Sequence, residues 1–152
     1  MDNFCFIKFN VNDIDIFNRI KNLFSYIANI KNDCIQIEDL EYYILEKVDE
    51  FYHKEELDYF WWPIEEENKM FWDKYKLLDE ENRQEFVKSV PWDFETVFSE
   101  IGLGDYTIEG CEMVREQTAK LYFNPTGYPY GGSEVLQEAL KAFGVRIVSV
   151  LG

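Results

Sequence analysis

Phe4-Cys5-Phe6-Ile7-Lys8-Phe9 opens the chain with aromatic and β-branched residues, a pattern that predicts a strand. Asn12 is the expected N-cap of the helix that follows, with Asp13 and Asp15 in its electropositive first turn. Within residues 13–29, Ile16, Phe17, Ile20, Leu23, Phe24 and Ile27 recur at helical spacing on one face. Asp15, Asn18, Arg19 and Asn22 fall on the opposite, polar face. Asn32-Asp33 reads as a turn, and Cys34-Ile35-Gln36-Ile37 as a short strand or an extended lead-in.

A second helix is expected over residues 39–54. Its core stripe is Leu40, Ile44, Val48 and Phe51, flanked by Tyr43 and Tyr52, and its other face carries Tyr42, Glu46, Asp49, Glu50 and His53. Pro63 restricts Trp62, so the chain breaks there. Residues 65–78 and 80–89 read as one or two helices, with Met70, Phe71, Tyr75 and Leu78 apolar on the first and Phe86 and Val87 on the second. After Pro91 a short helix runs from Asp93 to Ile101 and closes at Gly102. Tyr106–Val114 and Thr118–Phe123 are predicted strands, followed by turn chemistry in Asn124-Pro125-Thr126-Gly127. Ser133–Phe143 is amphipathic, burying Leu136, Ala139, Leu140 and Phe143 ahead of a Gly144 cap, and Val145–Val150 is a last strand. Strand, helix, strand at this end fits a parallel crossover. The pattern is that of a single α+β domain over residues 1–152, with helices in the middle and a small mixed sheet built from the N- and C-terminal strands.

Composition agrees with a folded core: 152 residues are 47% hydrophobic with 13 Phe, 10 Tyr and 4 Trp. The net charge of −15 argues against binding nucleic-acid phosphates or an anionic membrane, and favours a basic partner or plain solubility. Three widely spaced cysteines, Cys5, Cys34 and Cys111, form no CxxC pair and suit reduced thiols in a cytoplasmic protein. The first residues show no secretory signal, and no apolar run reaches the length of a membrane span. Abundant Ile, Asn, Lys, Phe and Tyr match AT-rich coding, as in a low-GC bacterium or its phage.

The acidity is concentrated. Residues 38–67 hold twelve Asp and Glu against Lys47 and Lys54, a net −10, together with eight aromatics. Acid alone would mark a disordered tail, but interleaved aromatics can bury area and anchor contacts. Glu46 and Glu50 stand as like charges at i, i+4, with Asp49 beside them, and a cationic partner would discharge that repulsion. Tyr42, Glu46, Asp49, Glu50, Tyr59, Trp61 and Trp62 are therefore the expected partner contacts.

Catalytic chemistry finds little purchase. His53 is the single histidine, so the paired Glu-x-x-His of a di-iron bundle cannot form from Glu50 and His53 alone. Cysteines tens of residues apart do not match zinc spacing, and a surface pairing of His53 with Asp49 serves better. There is no Gly-x-Ser-x-Gly elbow, and the Gly127–Gly132 segment is not a P-loop because no Lys follows its glycines. No cofactor, metal or catalytic residue is assigned. The leading expectation is an acidic protein-binding module, an inhibitor of the immunity type that neutralises a basic partner such as a toxin. One alternative is a carboxylate-dependent enzyme or small-ligand domain using the loop with Tyr128, Tyr130, Gly131 and Gly132, and another is a DNA mimic.

Overall fold

The computed structural model describes residues 4–32, 34–127 and 132–152. Strand β1 (Cys5–Asn10) alternates as the sequence does, turning Ile7 and Phe9 fully inward. It lies between β3 (Thr118–Pro125) and the edge strand β4 (Arg146–Leu151), and β2 (Tyr106–Arg115) pairs with β3 on the far side. Ile7 faces Leu121 and Phe9 faces Ala119 across the β1–β3 ladder, so the inward residues of both strands form one apolar face. All three ladders are antiparallel rather than mixed. The crossover through α8 (Glu134–Lys141) joins β3 to β4, which run in the same direction but are separated by β1.

Helix α1 (Ile14–Lys31) packs its predicted stripe, Phe17, Ile20, Leu23, Phe24 and Ile27, into the core. Its cap is Asp13, which accepts from the Asp15 amide at 2.8 Å, one residue beyond the expected Asn12. Gly144 ends the α8 segment at φ +85°, a conformation that favours glycine, with its N–H donating to Lys141. The Cys34–Ile37 segment takes the lead-in form, not a strand, and its Ile37 amide donates to the Gly102 carbonyl at 2.8 Å. Gly102 does not stop its helix, because α7 runs on from Phe94 to Leu103. Its glycine has a packing cause instead: a Cβ there would lie 2.6 Å from the Ile37 carbonyl and 2.9 Å from the Leu40 Cβ.

The expected 39–54 helix is interrupted. It becomes α2 (Leu40–Glu46), α3 (Val48–Phe51) and α4 (Lys54–Leu57), with Lys47 and then Tyr52 leaving helical geometry. Tyr52 goes inward as expected, donating to the Ala139 carbonyl at 2.8 Å and stacking on Phe143 at 4.3 Å. Burial drives its phenol well above the ordinary range, with the nearby Glu56 charge adding to that effect. Tyr43, expected beside the core, is exposed, because the buried stripe of α2 is Leu40, Glu41 and Ile44.

Two cations placed on α1 are buried. Arg19 leaves the expected polar face: its Nε reaches Asp15 at 3.0 Å, and its Nη1 donates to the Phe51 carbonyl at 2.9 Å. Its guanidinium also clasps both carboxylate oxygens of Glu56, linking α1 to α3 and α4. Burial alone would lower the guanidinium, but Glu56 and Asp15 hold it above its ordinary value. Lys31 is 1% exposed and donates to the carbonyls of Ile101 and Gly104 at 2.7 and 2.9 Å, closing the C-terminal end of α7. Its ammonium also lies 4.4 Å from the centre of the Tyr106 ring. Burial lowers Lys31 to about 8, with the Asp105 charge opposing, so it is still mostly charged at neutral pH.

Glu56→Ala leaves the Arg19 charge in the seam with the exposed Asp15 as its remaining ion partner. Chemical denaturation is expected to show a loss of about 3 kcal/mol, the cost of breaking a buried pair. Glu55→Ala, on an exposed neighbour, is expected to stay within ~0.5 kcal/mol. Equal losses in the two variants would show that the clasp is not structural. For Lys31 the folded value lies below the unfolded one, so between about 8 and 10.5 the unfolded chain holds more protons and stability rises with pH. Denaturation of the wild type against Lys31→Met is expected to show the wild type gaining across that window. A constant difference between the two would mean that the buried amine does not titrate there.

Candidate functional site

The acidic segment divides once folded. Of its twelve carboxylates, Glu41 is buried and Glu56 is half-buried on Arg19, and the other ten are exposed. Glu46 ends α2 and Asp49 and Glu50 lie on α3, so the bend at Lys47 separates the expected i, i+4 pair onto two helices. Lys47 lies over the Tyr26 ring at 4.9 Å, and Lys54 opens α4 with no ion pair to Glu50. Among the described residues the recorded ion pairs are Arg19 with Asp15 and Glu56, and Lys141 with Glu138. Tyr42, Glu46, Asp49 and Glu50 are all exposed, as expected, on a surface with almost no compensating charge.

Tyr59, Trp61 and Trp62 lead elsewhere. After α4 the chain turns through Asp58, Tyr59 and Phe60, and the Trp61 amide then donates to the Trp92 carbonyl at 2.9 Å, forming an extended, parallel bridge between Trp61 and Asp93. Successive side chains of an extended segment point to opposite sides. Trp61 accordingly contacts Phe71 on α5 (Glu65–Leu77), whereas Trp62 stacks on Phe94 of α7 at 5.0 Å. The Trp62 indole N–H donates to the Leu57 carbonyl at 2.8 Å, fixing the ring. Tyr59 donates to both Glu138 oxygens on α8, and burial, then Glu138, pushes its phenol upward.

Helices α5 and α6 (Glu80–Lys88) form an arm with no fully buried residue. Phe71 stacks on Phe86 at 5.0 Å, and Arg83 lies over Tyr75 while donating to the carbonyls of Tyr75 and Lys76. Met70 and Val87, read as apolar-face residues, are exposed; Met70 is 71% and Leu77 86% exposed. The arm borders a broad open groove of about 1460 Å³ against α7 and α8. Trp61, Trp62, Trp72 and Trp92, all the tryptophans of the chain, line it together with Phe71 and Tyr75. Glu80, Asp93, Glu95, Glu134 and Glu138 supply its acidic side, against Arg83 and Lys88. Desolvation first, then the charges of Glu134 and Asp93, raise the Glu100 carboxyl.

The acid-rich window of residues 38–67 contains Trp61 and Trp62 but ends short of Trp72, Trp92 and the arm, which the sequence reading therefore missed. The available signal was the tryptophan census: four within residues 61–92 and none elsewhere. The other expectations fare unevenly. His53 lies outside α3 and makes no ion pair with Asp49; its backbone N–H donates to Glu56 at 2.6 Å. Cys34 is exposed, while burial pushes the Cys111 thiol up to about 12. Tyr128, Tyr130 and Gly131 lie outside the described residues, and Gly132 has φ +81° with open space where a side chain would stand. Among the described residues no group of three His, Cys, Asp or Glu side chains converges on a metal position, and no helix is long and apolar enough to cross a membrane. No family model, curated protein or solved structure matches the chain.

Proposed function

We propose that the chain is a small acidic protein-binding module that neutralises a basic partner, an inhibitor of the immunity type acting in a bacterial cytoplasm. The observation that carries this reading is the uncompensated acid: ten exposed carboxylates in residues 38–67, none of them in an ion pair among the described residues. Uncompensated charge of one sign repels itself, and an approaching cation relieves that repulsion. The field steers association and favours oppositely charged partners. Basic nucleic-acid-cleaving toxins must carry positive charge to hold phosphate, which gives an inhibitor's acidity a cause. The exposed Tyr42 supplies an aromatic anchor among those charges, and Tyr59 and Trp62 are exposed farther along the same acidic stretch of sequence.

The test is kinetic. With a basic partner isolated from the source cells, the association rate is expected to fall roughly tenfold between low and high salt. Glu46→Lys combined with Asp49→Lys and Glu50→Lys is expected to lower the low-salt association rate by about tenfold as well, with the fold intact by circular dichroism. An association rate indifferent to both salt and charge reversal would overturn the reading.

A further inference from the structure

We propose that the groove between the α5–α6 arm and the α7–α8 body receives an amphipathic cationic segment of the partner, its apolar side chains against the tryptophan rings and its Lys or Arg against the carboxylates. This rests on the reading of the partner as basic, and it adds where the partner docks and what its docking segment is made of. Tryptophan is the residue most enriched at binding hot spots, and every tryptophan of this chain lines the same groove. The groove's volume of about 1460 Å³ exceeds the usual range for a small-molecule pocket, roughly 300–1,000 Å³, and suits a length of polypeptide.

Charge selects the occupant. Glu80, Glu95 and Glu134 border the groove and enter no ion pair among the described residues. Arg83, which lines the groove, is already engaged with the Tyr75 ring and two carbonyls. Glu134 and Asp93 also crowd Glu100, and an incoming cation would relieve that repulsion. A second copy of the chain would bring another −15 to the same acidic border, so self-association is disfavoured. Mixed aromatic and acidic linings bind a segment that offers both chemistries, as amphipathic helices do in grooves.

Because no tryptophan lies elsewhere, emission from the full chain reports on the groove directly. The probe is a Leu/Lys amphipathic peptide of about 18 residues, roughly five helical turns, with a Leu/Glu peptide of the same pattern and oligolysine of equal length as controls. The Leu/Lys peptide is expected to shift the emission to the blue and saturate, with both controls silent. Glu95→Lys with Glu134→Lys is expected to weaken that binding roughly tenfold, and Trp72→Ala by a similar factor. An equal response to the Leu/Glu peptide would overturn charge selection, and an equal response to oligolysine would overturn the apolar anchor. A blue shift on concentration alone, with a dimer in sedimentation, would assign the groove to a second copy instead. With the natural partner, the groove variants and the Glu46, Asp49 and Glu50 reversal separate the two proposals. If the reversal weakens binding and the groove variants do not, docking in the groove is wrong while the basic-partner reading stands; if neither matters, both fall.

Discussion

Arg19 carries a positive charge into the seam where α1 meets α3 and α4, and the surrounding groups are arranged to keep it charged. Its guanidinium makes four hydrogen bonds, to Asp15, the Phe51 carbonyl and both oxygens of Glu56, and lies 5.7 Å from the centre of the Phe143 ring. Helices as short as α3 and α4, four residues each, have no stability of their own. Their place is set by tertiary contacts, of which this clasp is the most directional. The turn that leads into Trp61 and Trp62 starts where α4 ends, so the position of both tryptophans depends on a residue of α1 some forty positions earlier.

Much of the fold was legible wherever one periodicity ran without competition. The α1 stripe, the β2–β3 hairpin, the amphipathic α8 with Gly144 after it, and the inward Ile7 and Phe9 all follow from spacing and cap chemistry. The reading failed where a residue's role is set by a distant partner. Arg19 looks like any surface residue on a polar helix face until Glu56 and the Phe51 carbonyl are brought to it. The same applies to Lys31, whose two carbonyl partners lie seventy residues and more away. Local pattern also ran the 39–54 helix through Lys47 and Tyr52, where burial of Tyr52 against Phe143 and Phe98 requires the chain to leave helical geometry.

The site shows the same division. Counting acids located an exposed, uncompensated surface but could not show that Glu56 and Glu41 are withdrawn from it. The same window holds Trp61 and Trp62 but ends short of Trp72 and Trp92, and Pro63 and Pro91 divide the four along the sequence. Folding joins them because Trp61 pairs along its backbone with Asp93, bringing the two ends of the arm together.

That short bridge has a consequence for the order in which the molecule comes apart. The arm contributes no fully buried side chain and is held by ring contacts, Arg83 and the paired residues at its base. Cooperative units with few buried contacts open at lower free energy than the core that carries them. Amide exchange in α5 and α6 therefore proceeds through partial opening, while amides in β1, β3 and α1 exchange only when the whole chain unfolds. The molecule separates its durability from the completeness of its surface: the sheet and α1 set how long the fold survives, and the arm sets how often the whole tryptophan-lined groove is formed.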